Sequence, residues 1–256
     1  MSDAEFEAID RAVMGCAFDS QNELGRLCDE RVYENDLAAR LRARGFTDVF
    51  TQEPIVVSWC EFTKRYRLDL VVNQMVYELK TVARFAGEHE AQAIHYGTLL
   101  GINRVKLINF RQHRVIGLLK RCPLFGRERF RVGVDAKAWR PLSQRCQSFA
   151  ELCRDLFQDW GAFLDTALFD DALKHFCGGE EFCLRRVPIV RDGIELGTQR
   201  LPFLSDEIPF VITAFTSELG VHEDHLLRLL KHTGLPGLQW LNFHQQILEL
   251  RTVTLK

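Results

Sequence analysis

The sequence predicts an α/β fold: a mixed sheet flanked by helices, laid down twice, with the second copy degenerate. Three observations predict it. A strand pair at 66–82 carries acidic and basic side chains among apolar ones, a helix and then a strand follow at 88–110, and a similar order of residues recurs about 133 positions later.

Residues 22–44, ahead of Gly45, set Glu30, Tyr33, Leu37 and Leu41 at helical intervals and predict a helix. Glu30 is the carboxylate in that apolar stripe. A surface acid paired with Arg26 or Arg31 satisfies the same pattern. Next, Leu68, Leu70 and Val72 alternate with Asp69 and Val71, and Asn73-Gln74 is a short polar turn before Met75 to Val82, so two strands pair as a hairpin. The period of two puts Glu78 and Lys80 on one face, and the antiparallel partner can bring Asp69 beside them. The alternative is a Glu78–Lys80 salt bridge on a solvated edge. Apolar neighbours on both faces argue instead for a buried strand, where an unpaired charge costs several kcal/mol. A divalent metal shared by Asp69 and Glu78, with Lys80 facing a phosphate, answers that cost.

Residues 88–101 have helical spacing, with Gln92 and Tyr96 one turn apart and Gly101 placed to end the helix. Val105 to Phe110 reads as the following strand, which makes the helix a crossover over the sheet.

Glu30-Arg31-Val32-Tyr33-Glu34, the Asp69 strand, Glu78-Leu79-Lys80 and Gln92-Ala93-Ile94-His95-Tyr96 together resemble the GxxExxY family of the PD-(D/E)XK nuclease superfamily, over about residues 20–115. The resemblance implies a restriction-endonuclease-like core and a nuclease requiring Mg²⁺ or Mn²⁺. In it, Asp69, Glu78 and the Leu79 carbonyl hold the metal, and Glu30 assists from the helix. Lys80 orients water or stabilises developing charge, while Gln92 and Tyr96 brace the site or the nucleic-acid backbone. One position departs from the pattern: Leu27 stands where the family has glycine, with Gly25 two residues further upstream.

The repeat is most visible as Ile108-Asn109-Phe110 against Leu241-Asn242-Phe243, and small shifts match Pro54-Ile55-Val56 with Pro188-Ile189-Val190 and Tyr33-Glu34 with Phe169-Asp170. The chemistry is not repeated. The same offset puts Pro202 at Asp69, Val211 at Glu78, Thr213 at Lys80 and His225 at Gln92, so the second copy is expected to be inert. The expected domains are a nuclease-like 1–115, a basic connecting segment 116–155 and a degenerate repeat 156–256.

Net charge is only −2, yet residues 104–145 hold twelve Lys or Arg against Glu128 and Asp135. Such a stretch is a track for nucleic-acid phosphates, with Arg111, Arg114, Lys120, Arg121, Arg127, Arg129 and Arg131 as the expected contacts to DNA or RNA. Phe125, Phe130 and Trp139 interleave with these arginines and could stack on bases. A solvated inter-domain connection fits the composition equally well. The eight cysteines lack any Cys-x-x-Cys pair and read as reduced core residues, and the spacing of Cys146, Cys153, Cys177 and Cys183 is loose for a cluster. No apolar run of roughly 18 residues and no secretory signal is present, so a soluble cytoplasmic protein is expected. A protein from another functional class competes with the nuclease: a non-catalytic nucleic-acid-binding or self-assembling protein that keeps the first site as a relic. A homo-oligomer or a protein partner docked through the second repeat is compatible with either.

Overall fold

The computed structural model describes residues 2–124 and 126–255. Two compact units divide the chain, Met1–Ser58 with Thr63–Gly126, and Trp59–Phe62 with Arg127–Lys256.

The first unit opens with helix α1 (Asp3–Leu24), started by a reciprocal cap between Ser2 and Glu5, and continues with α2 (Glu30–Ala43). The helix predicted over 22–44 is therefore two helices. Gly25 adopts φ +76°, outside the helical range and ordinary only for glycine, and ends the first. Tyr33 then ties the break together, its hydroxyl donating to the Gly25 carbonyl (2.7 Å) and accepting from the Cys28 N–H (3.3 Å). The five-stranded sheet runs in the order β1 (Val49–Trp59), β2 (Phe62–Val72), β3 (Met75–Lys80), β4 (Arg104–Asn109), β5 (Ile116–Arg121). Asn73 and Gln74, both at positive φ, form the two-residue β2–β3 turn. Helix α3 (Gly87–Leu100), capped by left-handed Gly101, carries the chain from β3 to its parallel neighbour β4. The expected mixed sheet flanked by helices is present, with β3 at its centre.

Apolar side chains pack on both faces. Tyr33, Leu37, Leu41, Leu70, Tyr77, Leu79 and Phe110 form the core under α1 and α2, with Tyr33 stacked on Phe110 at 4.2 Å. Leu68, Val76, Ala93, Tyr96, Val105 and Leu107 form the core under α3.

The second unit contains β6 (Gly133–Ala138), α4 (Gln144–Trp160), α5 (Thr166–Phe176), a short α6 (Glu180–Cys183), β7 (Leu184–Arg191), β8 (Ile194–Pro202), β9 (Phe210–Thr213), α7 (Leu219–Thr233), β10 (Gly237–His244) and β11 (Ile247–Thr254). Its four-stranded sheet has the order β6-β11-β10-β9, and β7 and β8 pair as a separate hairpin. Phe157, Phe169 and Phe243 pack together at its centre. Residues 116–155, expected as a connecting segment, divide between the units: they supply β5 to the first sheet, β6 to the second, and most of α4. Among the described residues no helix is long and apolar enough to cross a membrane.

Helix α3 lies unusually close to the sheet at Gly97, where a Cβ would stand 2.9 Å from Val105 Cγ2 and collide with the Cys122 thiol. Gly97→Ala should cost about 1–3 kcal/mol through overpacking. A lowered midpoint in urea denaturation is the expected reading, and an unchanged midpoint would show that α3 can shift.

Candidate active site

The site forms where β2 and β3 part. Their ladder pairs Val72 with Met75, Val71 with Val76 and Leu70 with Tyr77, and goes no further. The next donor is satisfied differently: Leu79 N–H donates to Asp69 Oδ2 at 2.8 Å. A carboxylate thus takes the place of a strand carbonyl, and Asp69 is drawn onto the face that carries Glu78 and Lys80.

All six residues of β3 are buried, Glu78 at 2% exposure and Lys80 at 9%. Lys80 Nζ donates to Glu78 Oε1 at 2.8 Å. A Glu78–Lys80 pair therefore exists, but in the central strand and not on a solvated edge. Glu78 Oε2 is buried with no hydrogen-bond partner. The carboxyl of Asp69 lies near enough for its charge to act on Glu78. Burial first, and then the Asp69 charge, push Glu78 up to about 8. Burial likewise raises Asp69, against the pull of the Leu79 N–H and Lys80. For Lys80, burial favours the neutral amine. The Glu78, Asp69 and Glu30 carboxylates outweigh that and hold it charged.

Glu30, the first residue of α2, is half-buried and accepts from the Thr81 N–H at 3.0 Å. It does not pair with Arg31, which binds Glu34 instead at 2.7 Å. The charge on Glu30 nonetheless acts on both Asp69 and Lys80. Gln92 Nε2 donates to the Tyr96 hydroxyl at 3.0 Å, and Tyr96 packs beside Leu68 and Val76, near enough to feel Glu78 and Asp69. Glu30, Asp69, Glu78, Lys80, Gln92 and Tyr96 thus converge on one region, while the Leu79 side chain points into the opposite core.

Three neighbours, Glu34, Gln52 and Asn109, are not among the expected site residues, and a fourth, Arg111, is expected only as a phosphate contact. Glu34, buried at 2% exposure, accepts from Gln52 Nε2 at 2.8 Å, and the same amide lies 3.4 Å from Asp69 Oδ1. Glu34 stands one helical turn after Glu30, a spacing that could have drawn attention to it. Gln52 carries no sequence signal. Asn109 clamps the chain beyond Lys80, bonding both the N–H and the carbonyl of Val82. Arg111, expected among the phosphate contacts, donates to the Thr81 carbonyl at 3.3 Å, beside Glu30.

The remaining basic residues scatter. Arg114 and Arg121 are exposed in the first unit, and Arg127 and Arg131 in the second. Lys120 is paired with Glu90 at 2.5 Å. Arg129 differs from the expectation of a phosphate contact: at 9% exposure it donates to the Trp160 carbonyl and lies over the Phe130 ring. Its guanidinium is turned into the second unit and is not presented to solvent. Phe125 lies outside the described residues. All eight cysteines are free thiols. Among the described residues no group of three or more His, Cys, Asp or Glu side chains is arranged to hold a metal ion.

Residues 7–121 match the family model of the PD-(D/E)XK nuclease superfamily. That stretch contains every residue of the site just described. A solved structure titled "Crystal structure of SSO0001" is similar at 17% identity, over 44% of this chain and 66% of that one, with a TM-score of 0.28; at that score it carries no argument. No curated protein matches the chain. Members of the PD-(D/E)XK superfamily generally use divalent metals. The donor set here fits such an ion in one respect that does not depend on the match: two carboxyls are pressed together in a low-dielectric site, one of them with an oxygen left unsatisfied.

The raised Glu78 sets a pH dependence. Without metal, the folded chain retains a proton on Glu78 between the ordinary carboxyl value of 4.5 and about 8, where the unfolded chain has lost it. Stability therefore falls as pH rises through that window. Glu78→Gln, which keeps an acceptor for Lys80, should flatten this slope and raise the melting temperature in chelator at pH 8. Equal wild-type melting temperatures at pH 6 and pH 8 in chelator, with the same result in Glu78→Gln, would contradict the crowding of the two carboxyls.

Proposed function

We propose that the first unit is a metal-dependent nuclease of the GxxExxY type, hydrolysing phosphodiester bonds of DNA or RNA, and that the second unit is its inert repeat. The observation that carries this reading is the Asp69–Glu78 pair, two crowded carboxyls beside a charged, buried lysine. Asp69, Glu78 and the Leu79 carbonyl would hold Mg²⁺ or Mn²⁺, with Glu30 assisting, and the ion would supply an activated water and neutralise charge gathering on the phosphate. Lys80 donates to that developing charge from a fixed position, since its ammonium is already held by Glu78. The Gln92–Tyr96 pair braces the α3 side of the pocket. Of the seven basic residues expected to contact phosphate, this unit offers Arg111, Arg114 and Arg121 to the nucleic-acid backbone.

Register supports the repeat. Lys80 pairs with Asn109 and Asn109 with Ile116, and at a constant offset Thr213 pairs with Asn242 and Asn242 with Glu249. Gly101 and Gly234 end their helices in the same left-handed conformation. The clamp of Asn109 on Val82 has its counterpart in Asn242, which bonds the N–H and carbonyl of Phe215. Pro202, Val211, Thr213 and His225 stand in the positions of Asp69, Glu78, Lys80 and Gln92. An inert copy of this kind serves docking, to a second copy of the chain or to another protein.

A second reading, a nucleic-acid-binding protein that no longer cleaves, draws on one observation: the side chains alone do not make a three-ligand metal group. Incubation with labelled single- and double-stranded DNA and RNA, in Mg²⁺, Mn²⁺ or chelator, separates the two. Cleavage is expected with metal only, and Lys80→Ala or Asp69→Ala should lower its rate by roughly a hundred-fold or more with the fold intact. Full activity in either variant refutes the assignment. Salt-sensitive binding without turnover in the wild type establishes the second reading instead.

A further inference from the structure

Gln52 has a backbone conformation that its place in the sheet does not explain. Its φ is +55°, and among the described non-glycine residues at positive φ it alone lies inside a strand; the others occupy turns, loops or a helix cap. Strain of this kind persists where the surroundings over-determine it, and such places cluster at functional sites. A left-handed residue within a strand also turns its side chain out of the two-residue alternation. Here that turn carries the amide to two carboxyls at once, Glu34 Oε2 at 2.8 Å and Asp69 Oδ1 at 3.4 Å.

Asp69 is thereby held from two sides. Leu79 N–H fixes Oδ2, and the Gln52 amide faces Oδ1. Glu34 in turn fixes the amide, and Arg31 holds the other Glu34 oxygen at 2.7 Å. The chain of contacts therefore runs from the surface of α2, through a buried acid and a strained strand residue, to the carboxylate read above as a metal ligand.

We infer that Gln52 is a positioning residue: it orients Asp69 toward the ion and, through Glu34, ties that orientation to helix α2. This rests on the metal-site reading of the first unit. Outer partners of metal ligands commonly change metal affinity by about 10–100-fold. Gln52 is not a catalytic residue, because its contacts are with carboxyls and not with the reacting atoms.

The test uses the full chain, Mn²⁺ as probe, and the variants Gln52→Gly and Gln52→Ala. Mn²⁺ affinity is followed by electron paramagnetic resonance, and melting temperature is measured in chelator. Glycine accepts the left-handed backbone without strain, so Gln52→Gly should still fold, with some loss of melting temperature from the amide that Glu34 loses, while binding Mn²⁺ roughly ten-fold or more weakly. On a cleaved substrate, kcat should fall with KM for the nucleic acid unchanged. A purely structural role predicts a lower melting temperature in Gln52→Gly at undiminished Mn²⁺ affinity, and that result overturns the inference. Wild-type Mn²⁺ affinity in both variants also overturns it while leaving the metal site standing. A wild type that binds no Mn²⁺ overturns both. If Gln52→Ala fails to fold, Gln52→Gly decides alone.

Discussion

The first unit depends on one substitution of partners: the Leu79 N–H, which would ordinarily feed a strand carbonyl, is given to the Asp69 carboxylate. A buried backbone donor must be satisfied, and the choice of a side chain over the neighbouring strand lets β2 and β3 separate after Leu70 and Tyr77. That opening is where Asp69, Glu78 and Lys80 sit. It forms in the middle of a packed sheet, so the charges meet under low dielectric and act strongly on one another. The same bond explains why Leu68 packs under α3 and Leu70 under α1 and α2, although an uninterrupted strand would put both on one face.

Around this opening the chain is held by side chains that bond to backbone. Glu30 takes the Thr81 N–H, Asn109 takes both polar groups of Val82, and Arg111 takes the Thr81 carbonyl. The segment leaving Lys80 is thus fixed without a regular ladder, and Lys80 is fixed with it. Helix α2 is anchored independently by Tyr33, stacked on Phe110 below and bonded to Gly25 and Cys28 above. Glu30 and Glu34 therefore approach the site from a rigid element, as precise placement of a functional group requires.

Much of this was legible in the sequence, because the site residues lie on elements with strong periodicity. The alternation through Glu78-Leu79-Lys80, the one-turn spacing of Gln92 and Tyr96, and the capping Gly101 each fix a face or an end locally, whereas the alternation through Leu68, Asp69 and Leu70 is broken where β2 leaves β3. Helix α1 was not legible: its apolar positions are diluted by polar ones, and its buried face includes Ser20 and Gln21, which a hydrophobic pattern passes over. The break at Gly25 was hidden by apolar spacing that continues through it. Gln52 was hidden for a different reason, since its role follows from a left-handed backbone that no neighbouring residue type announces. Arg129 and Lys120 were legible as charges but not as spent ones, because pairing with Trp160 and Glu90 is a long-range property.

The second unit sharpens what distinguishes a site from a core. Where β9 and β10 run side by side, Thr213 Oγ1 donates to Asn242 Oδ1 at 2.7 Å and accepts from Trp240 Nε1 at 2.8 Å, and Asn242 Nδ2 reaches both the Phe215 carbonyl and Glu249. Each polar atom of that group has a partner in the protein, and the strand beside it carries the apolar Val211 and Ile212. A fully satisfied network of this kind rigidifies a fold and asks nothing of solvent or ligand. In the first unit, by contrast, β3 keeps a buried glutamate with an unsatisfied oxygen beside a second carboxyl. Such an arrangement makes the folded chain progressively less stable as pH rises from the ordinary carboxyl value of 4.5 to about 8, a dependence that a satisfied neutral network does not carry. A cation offsets that loss.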